Sequence, residues 1–206
     1  MAKTTFNGPV RSENGFQTIS KNATTGAVTV TSGDKMATEA TASAGIEGTA
    51  AVYVTQVNRL KSDVDTNVNI VKTTIMIDLT GLKDGDTAGD IIGKDGSGVA
   101  FIGKVTTANQ GTVFGVTMTC VETPAGGSTD IDLFSATEGT GVNDTAIGDL
   151  TETQIINAGA ASAGTVVAGG DIAADQFLYL VSQGTGDATY TAGRFLIEIT
   201  GFDAAS

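Results

Sequence analysis

The sequence of 206 residues contains no histidine and no tryptophan, one cysteine and only two prolines. Without histidine, the chain cannot form a zinc site of the His/Cys type, a haem site with an axial histidine, or a nucleophile–histidine triad. The single Cys120 cannot form an internal disulfide, so no disulfide framework stabilises the fold. These absences favour a structural role over a chemical one.

Basic residues are also scarce, since 11 lysines and arginines accompany 23 acidic residues and the net charge is −12. Because phosphates are neutralised by cations, we expect no nucleic-acid partner. No segment approaches the ~18 consecutive apolar residues of a membrane-spanning helix. The first six residues also lack the apolar run of a secretory signal. We therefore expect no membrane contact and synthesis in the cytoplasm.

The charge is unevenly distributed along the chain. Residues 1–72 carry seven basic and six acidic side chains, whereas residues 73–206 carry four basic and 17 acidic ones. One surface could contact a partner while the acidic remainder faces solvent and keeps particles apart by like-charge repulsion. An ordinary acidic surface that happens to fall late in the chain is the alternative.

The hydrophobic content of 40% suffices for a core, but aromatic residues make up only 5% of the chain. The core must therefore be thin and built from valine, isoleucine, leucine and the eight phenylalanines. We expect association with neighbouring subunits to bury further surface.

Short runs of alternating or β-branched residues, separated by turn signals, predict strands, while helical periodicity is nearly absent. We predict an all-β fold, an antiparallel sandwich or barrel of about six to nine short strands. Long loops are expected within residues 123–170. The predicted strands are 27–31, 49–57, 67–79, 99–107, 112–122, 176–182 and 193–202, with small elements near 131–134 and 153–157.

Residues 99–107 and 112–122 are joined by a short glycine-bearing loop, which predicts a hairpin. Strict alternation in the second strand places Cys120 in the core as a small hydrophobic residue. No histidine or lysine lies nearby in the sequence to lower the pKa of its thiol. The residues that alternation assigns to this inward face are Phe114, Val116, Met118 and Cys120.

Residues 1–25 are predicted to form an extended N-terminal arm that precedes a single β domain over residues 26–206. The turn signals at residues 7–9 and 14–15 lie in a segment without periodicity. Isolated side chains on such a segment could dock into a groove of a partner or of a neighbouring subunit; packing onto the chain's own domain is the alternative. The candidate partner-binding residues are Phe6, Val10, Arg11, Phe16 and Ile19.

An aspartate-rich run is the best local candidate for chemistry. Counted from Asp84, carboxylates occupy positions 1, 3, 7 and 12 and glycine occupies position 6, which partly matches a calcium-binding loop. Position 5 is Ala88, position 12 lacks the expected glutamate, and predicted strands flank the run. We favour a turn between strands and expect no metal and no cofactor. The weak calcium candidates are Asp84, Asp86, Asp90 and Asp95.

Glycoside hydrolysis by a pair of carboxylates is a further alternative. Sugar subsites tend to need aromatic platforms, however, and the chain contains no tryptophan. We therefore do not expect an enzyme.

Several segments of the chain carry a resemblance to known proteins. They are Phe6–Phe16, Thr73–Leu79, Gly89–Gly93, Thr117–Gly127 and Phe195–Glu198. These segments resemble small virion structural proteins of marine tailed bacteriophages. The resemblance extends over most of the chain but brings no active-site residues with it. It implies a virion component encoded near the head genes, in particular a capsid decoration (cement) protein.

The resulting hypothesis is a decoration protein on the outer surface of the virion head, assembled in the host cytoplasm. Its partners would be the major capsid protein and further copies of itself in a homotrimer, because closed cyclic symmetry suits a shell with threefold positions. Many weak contacts, including those of the arm, would brace the joints between major capsid subunits. A receptor-binding or adhesin module of a head or tail fibre, with residues 123–170 as its recognition surface, is the alternative.

Overall fold

The computed structural model describes residues 68–204, the strands Thr18–Lys21, Val28–Ser32 and Ala50–Leu60, and the single residues Ser43, Gly45 and Ile46. The chain divides into two compact units, Met1–Met36 and Ala37–Ser206. In the first unit, β1 (Thr18–Lys21) pairs antiparallel with β2 (Val28–Ser32). Residues 18–21 of the predicted arm are therefore one strand of a two-stranded sheet.

The second unit is built almost entirely from strands. In the described part it has ten strands, a single helical turn and a short 3-10 turn at Ile147–Asp149. The elements are β3 (Ala50–Leu60), β4 (Val68–Asp78), β5 (Asp90–Ile91), β6 (Gly103–Lys104), α1 (Thr107–Gln110), β7 (Thr112–Ala125), β8 (Ile131–Ala136), β9 (Glu152–Ile156), β10 (Val166–Gly169), β11 (Phe177–Ser182) and β12 (Ala192–Ala204).

These ten strands form two antiparallel sheets. The sheet with the longer strands, called the larger sheet, has the order β10-β7-β12-β4-β3. The smaller sheet has the order β5-β11-β8-β9, and β6 pairs with β11 on the same side as β5. Buried side chains from both sheets form one hydrophobic core. The predicted all-β antiparallel class is confirmed, and the arrangement is consistent with a sandwich.

The larger sheet buries one face only, because its long strands alternate. In β4 the inward positions include Ile75 and Ile77, and in β12 they include Phe195 and Ile197. The residues between them remain partly or fully exposed. Alternation of this kind is typical of an antiparallel sheet with one solvated face.

The two central strands of the smaller sheet, β8 and β11, are covered on both faces. All six residues of β8 and the last five residues of β11 are buried. On one face Tyr179 donates a hydrogen bond to the carbonyl of Glu138 (2.8 Å) and accepts one from the backbone N–H of Gly141 (3.3 Å). The ring of Phe101 packs at 6.5 Å from that of Tyr179. Loops therefore cover the face that does not point toward the larger sheet.

The predicted hairpin of residues 99–107 and 112–122 is wrong. Only Gly103 and Lys104 form a strand here, and they pair with β11 of the smaller sheet. The connection folds into α1, whose N-cap Thr106 accepts a hydrogen bond from the backbone N–H of Asn109. Gly111 ends the turn with a φ of +67°. A helical turn with a terminal glycine thus sends the chain into the other sheet.

In the described part, no helix is long and apolar enough to cross a membrane.

Strand β7 buries Cys120 as predicted, and this burial raises the pKa of its thiol. The same alternation fails at Phe114, whose side chain is 55% exposed. Between β7 and β12 the register shifts, so that Gly115 lies opposite Thr200 but Val113 lies opposite Gly201. The extra residue forms a bulge that turns Phe114 outward and leaves the inward position to Val113.

Candidate functional site

The predicted arm residues lie mostly beyond the described part of the chain. Phe6, Val10, Arg11 and Phe16 are outside the described residues. Ile19 lies in β1, opposite Val30 of β2. Partner binding by this segment stays a prediction.

The larger sheet displays an unusual concentration of exposed apolar side chains. Among the described residues, every exposed large hydrophobic side chain belongs to β4, β7, β10 or β12 of this sheet. A solvated sheet face is normally polar, so this distribution distinguishes the larger sheet from the rest of the described surface. The residues are Met76, Phe114, Val121, Val166 and Phe202.

Two groups of these side chains occupy different parts of the outer face, which is the face of the larger sheet directed away from the core. The aromatic pair, Phe114 and Phe202, has ring centroids 6.2 Å apart. A second group forms a row across the strands, because Leu196 lies opposite both Met76 and Thr119, and Thr119 lies opposite Val166. The ion pair between Lys72 and Glu198 lies between the two groups. The outer face is thus apolar at two places and polar between them.

The four carboxylates predicted as calcium candidates do not come together. Asp84 is only 1% exposed, and its carboxylate accepts hydrogen bonds from the backbone N–H groups of Ser128 (2.8 Å) and Ala188. Asp95 is exposed and forms an ion pair with Lys83 at 3.8 Å. Asp84 therefore links distant segments of the backbone, and Asp95 belongs to a surface ion pair.

The other two candidates, Asp86 and Asp90, meet Asp144 instead. Ligand oxygens of these three carboxylates all lie within 4.8 Å of one another. The backbone N–H of Asp86 donates to Asp144 (3.0 Å), and that of Thr87 donates to Asp90 (2.9 Å). Asp90 is buried, and this burial raises its pKa, as do the negative charges of Asp144 and Asp86. Three oxygen ligands suit a hard cation, but hydrogen bonds within the loops account for the same arrangement.

Sequence reasoning missed Asp144 because 58 positions separate it from Asp86. Its local signal is the pair Asn143-Asp144, which is typical of a turn. Asp144 has a φ of +61°, a conformation that asparagine and aspartate adopt more readily than most residues. The turn was visible in the sequence, but its contact with the aspartate-rich loop was not.

The substitution Asp144→Asn is expected to raise the free energy of unfolding at pH 7 by about 0.5 kcal/mol. Asparagine tolerates the same φ and can still accept the hydrogen bond from Asp86, while one charge beside Asp90 is removed. The raised pKa of Asp90 means that its contribution to stability is present at low pH and is lost as the pH rises through the pKa of the folded state. Urea unfolding should therefore show a higher free energy of unfolding for Asp144→Asn at pH 7 but not at pH 3. An equal increase at both pH values would contradict the mechanism.

Comparisons of the chain with protein-family models, with curated proteins and with solved structures found no significant match.

Proposed function

We propose that this chain is a capsid decoration protein that binds the outer surface of a phage head and braces the joints between major capsid subunits. The observation that carries the proposal is the outer face of the larger sheet, which holds all the exposed large hydrophobic side chains of the described residues. Exposed apolar patches mark interaction surfaces, and phenylalanine and methionine are enriched in interfaces.

The aromatic pair is the contact with the shell in this proposal. A bulge holds Phe114 outward beside Phe202, so the two rings project from a rigid sheet and lose little conformational entropy on binding. Each contact is small, and many copies around the shell supply the resistance to internal pressure. The acidic excess over residues 73–206 would face solvent and keep particles dispersed.

The segments that resemble virion proteins of tailed phages supply the identity of the partner in this proposal, namely the major capsid protein. A second contact, between copies of the chain, would produce a homotrimer. Light scattering on the purified protein tests this part, with an expected mass of about three times the 20.7 kDa of one chain.

The substitution Phe114→Ser is expected to weaken attachment to particles at least about tenfold, because it removes an aromatic anchor. The free energy of unfolding should change by less than about 1 kcal/mol, since the side chain is mostly exposed in the free protein. Co-sedimentation of the labelled protein with particles stripped of it measures the attachment. The control is Thr153→Ala, at an exposed position of β9 in the smaller sheet, which should attach normally.

A reconstruction of the virus particle encoded by the same genome tests the proposal as a whole. We expect density for the protein on the outside of the head, with the larger sheet directed at the shell. A location in the tail, or absence from purified particles, would refute it.

A further inference from the structure

Two Asp-Gly pairs lie eleven positions apart in the aspartate-rich run, and the fold surrounds them differently. They are Asp84-Gly85 and Asp95-Gly96. An aspartate followed by glycine is prone to cyclisation, in which the main-chain nitrogen of the glycine attacks the side-chain carboxyl of the aspartate. Glycine favours this attack because it has no Cβ atom and the widest freedom of its backbone angles. The structure therefore decides which of the two pairs can react.

The first pair is held in the interior. Asp84 is 1% exposed, and its carboxylate accepts hydrogen bonds from the backbone N–H groups of Ser128 and Ala188. Gly85 is buried as well, and its carbonyl accepts a hydrogen bond from the backbone N–H of Asp187 (3.1 Å). Rotation of the Asp84 carboxyl toward the Gly85 nitrogen would break both of its charge-assisted hydrogen bonds. This pair can react only when the region around it opens.

The second pair occupies an exposed turn. The Asp95 side chain is 77% exposed and forms an ion pair with Lys83 at 3.8 Å. Gly96 is exposed, has a φ of +67°, and would bring an added Cβ atom within 4 Å of nothing. Within the described part of the chain, the Gly96 N–H donates no hydrogen bond. The backbone N–H of Ser97 closes the turn by donating to the carbonyl of Lys94 (3.2 Å). The Asp95 carboxyl and the Gly96 nitrogen can therefore approach each other without the loss of a buried contact.

We propose that Asp95-Gly96 is a site of spontaneous isomerisation to isoaspartate through a succinimide, and that the fold protects Asp84-Gly85 from the same reaction. The Gly96 nitrogen forms a bond to the side-chain carboxyl carbon of Asp95, and its proton leaves with the carboxyl hydroxyl as one water molecule. Water then adds to the succinimide and breaks one of its two C–N bonds. Cleavage at the side-chain carbonyl restores aspartate, whereas cleavage at the main-chain carbonyl leaves the chain running through the Asp95 side chain. The atoms balance without an enzyme, an oxidant or a cofactor.

The modification would change the surface of the turn and leave the core intact. It inserts a methylene group into the main chain and turns the former Asp95 carbonyl into a free carboxylate, so the charge is kept but moves. That carbonyl accepts a hydrogen bond from the Ser97 hydroxyl (3.3 Å), and both this bond and the ion pair with Lys83 would have to form again. Interactions of this exposed kind contribute little to stability, so modified chains should stay folded and accumulate as the protein ages.

The test is ageing of the purified full-length protein in a mildly acidic buffer, followed by peptide mapping. An isoaspartyl peptide elutes separately from its aspartyl form at unchanged mass, so each pair is measured by itself. Isoaspartate should form at Asp95 at least about tenfold faster than at Asp84, because reaction at Asp84 requires the fold to open. In urea concentrations that unfold the protein, the two pairs should react at similar rates. Deamidation at Asn7-Gly8 or Asn14-Gly15 is distinguished by its change in mass.

The variant that tests the site is Asp95→Glu, which keeps the charge. Glutamate would have to form a six-membered ring, which is much slower, so the late product should disappear while the circular dichroism spectrum stays the same. Equal rates at Asp84 and Asp95 in the folded protein would overturn the protection by the fold. A folded protein that forms no isoaspartate at Asp95, or the same product from Asp95→Glu, would overturn the site itself. The measurement needs no virus particles, so its outcome is independent of the proposed attachment to a capsid.

Discussion

The substitution Asp84→Ala is expected to lower the free energy of unfolding by about 3–5 kcal/mol. The Asp84 carboxylate is buried and accepts hydrogen bonds from the backbone N–H groups of Ser128 and Ala188, which lie 44 and 104 positions further along the chain. Hydrogen bonds to a charged group contribute about 1.5–3 kcal/mol each, and alanine leaves both partly buried donors without this partner. Backbone hydrogen bonds already join the Asp84 segment to the Ala188 segment, and the Asp84 carboxylate adds the Ser128 segment to them.

Urea unfolding at neutral pH measures this loss. Asp95→Ala is the matched control, since Asp95 comes from the same aspartate-rich loop but is exposed and pairs with Lys83 at 3.8 Å. That variant should change the free energy of unfolding by less than about 0.5 kcal/mol. The free energy of unfolding of Asp84→Asn should lie between those of Asp84→Ala and Asp95→Ala. The amide has one oxygen, so it can accept a hydrogen bond from only one of the two N–H donors. A loss below 1 kcal/mol for Asp84→Ala (roughly one neutral hydrogen bond) would show that the two bonds contribute little.

The second large effect is expected for Gly201→Ala, which should cost about 2–4 kcal/mol of unfolding free energy. A Cβ atom at this position would lie 2.0 Å from the carbonyl oxygen of Gln110 and 3.0 Å from that of Thr112. Both obstacles are backbone atoms, so no side-chain rotation relieves the clash. Either β12 or α1 must move, and the Gln110 side chain, which accepts a hydrogen bond from the backbone N–H of Thr106 (2.8 Å), would move with α1.

Gly115→Ala is the control for this substitution. Gly115 lies in the same strand pair, opposite Thr200, and a Cβ atom there meets nothing within 4 Å. Its unfolding free energy should change by less than about 1 kcal/mol. Because the bulge that exposes Phe114 lies at Gly201, Gly201→Ala should also weaken particle attachment, whereas Gly115→Ala should not. Equal stability of the two variants would mean that β12 and α1 separate freely.

The sequence revealed those features that depend on neighbouring residues. Alternation around Ile75 and Ile77 predicted β4, and the same pattern placed Cys120 in the core, because a strand displays its two faces in turn. The hairpin failed because the partner of Gly103 and Lys104 is β11, more than 70 positions away. Phe114 was misplaced because a bulge depends on the register between two strands, which one strand does not encode.

The candidate sites show the same division between local and long-range information. The aspartate-rich loop was recognised, yet its carboxylates divide between a buried structural role for Asp84 and a cluster completed by Asp144. The outer face was not foreseen, because strict alternation had assigned Phe114 to the core.

The burial of Cys120 provides a way to time the opening of the molecule. It is the sole thiol of the chain, it lies on the inward face of β7, and its burial, which also raises the pKa of the thiol, keeps reagents away from it in the closed state. A thiol-specific reagent can modify it only when β7 separates from the core. The labelling rate of the protein therefore measures how often β7 opens, and binding to a shell would slow this rate in proportion to the stability gained.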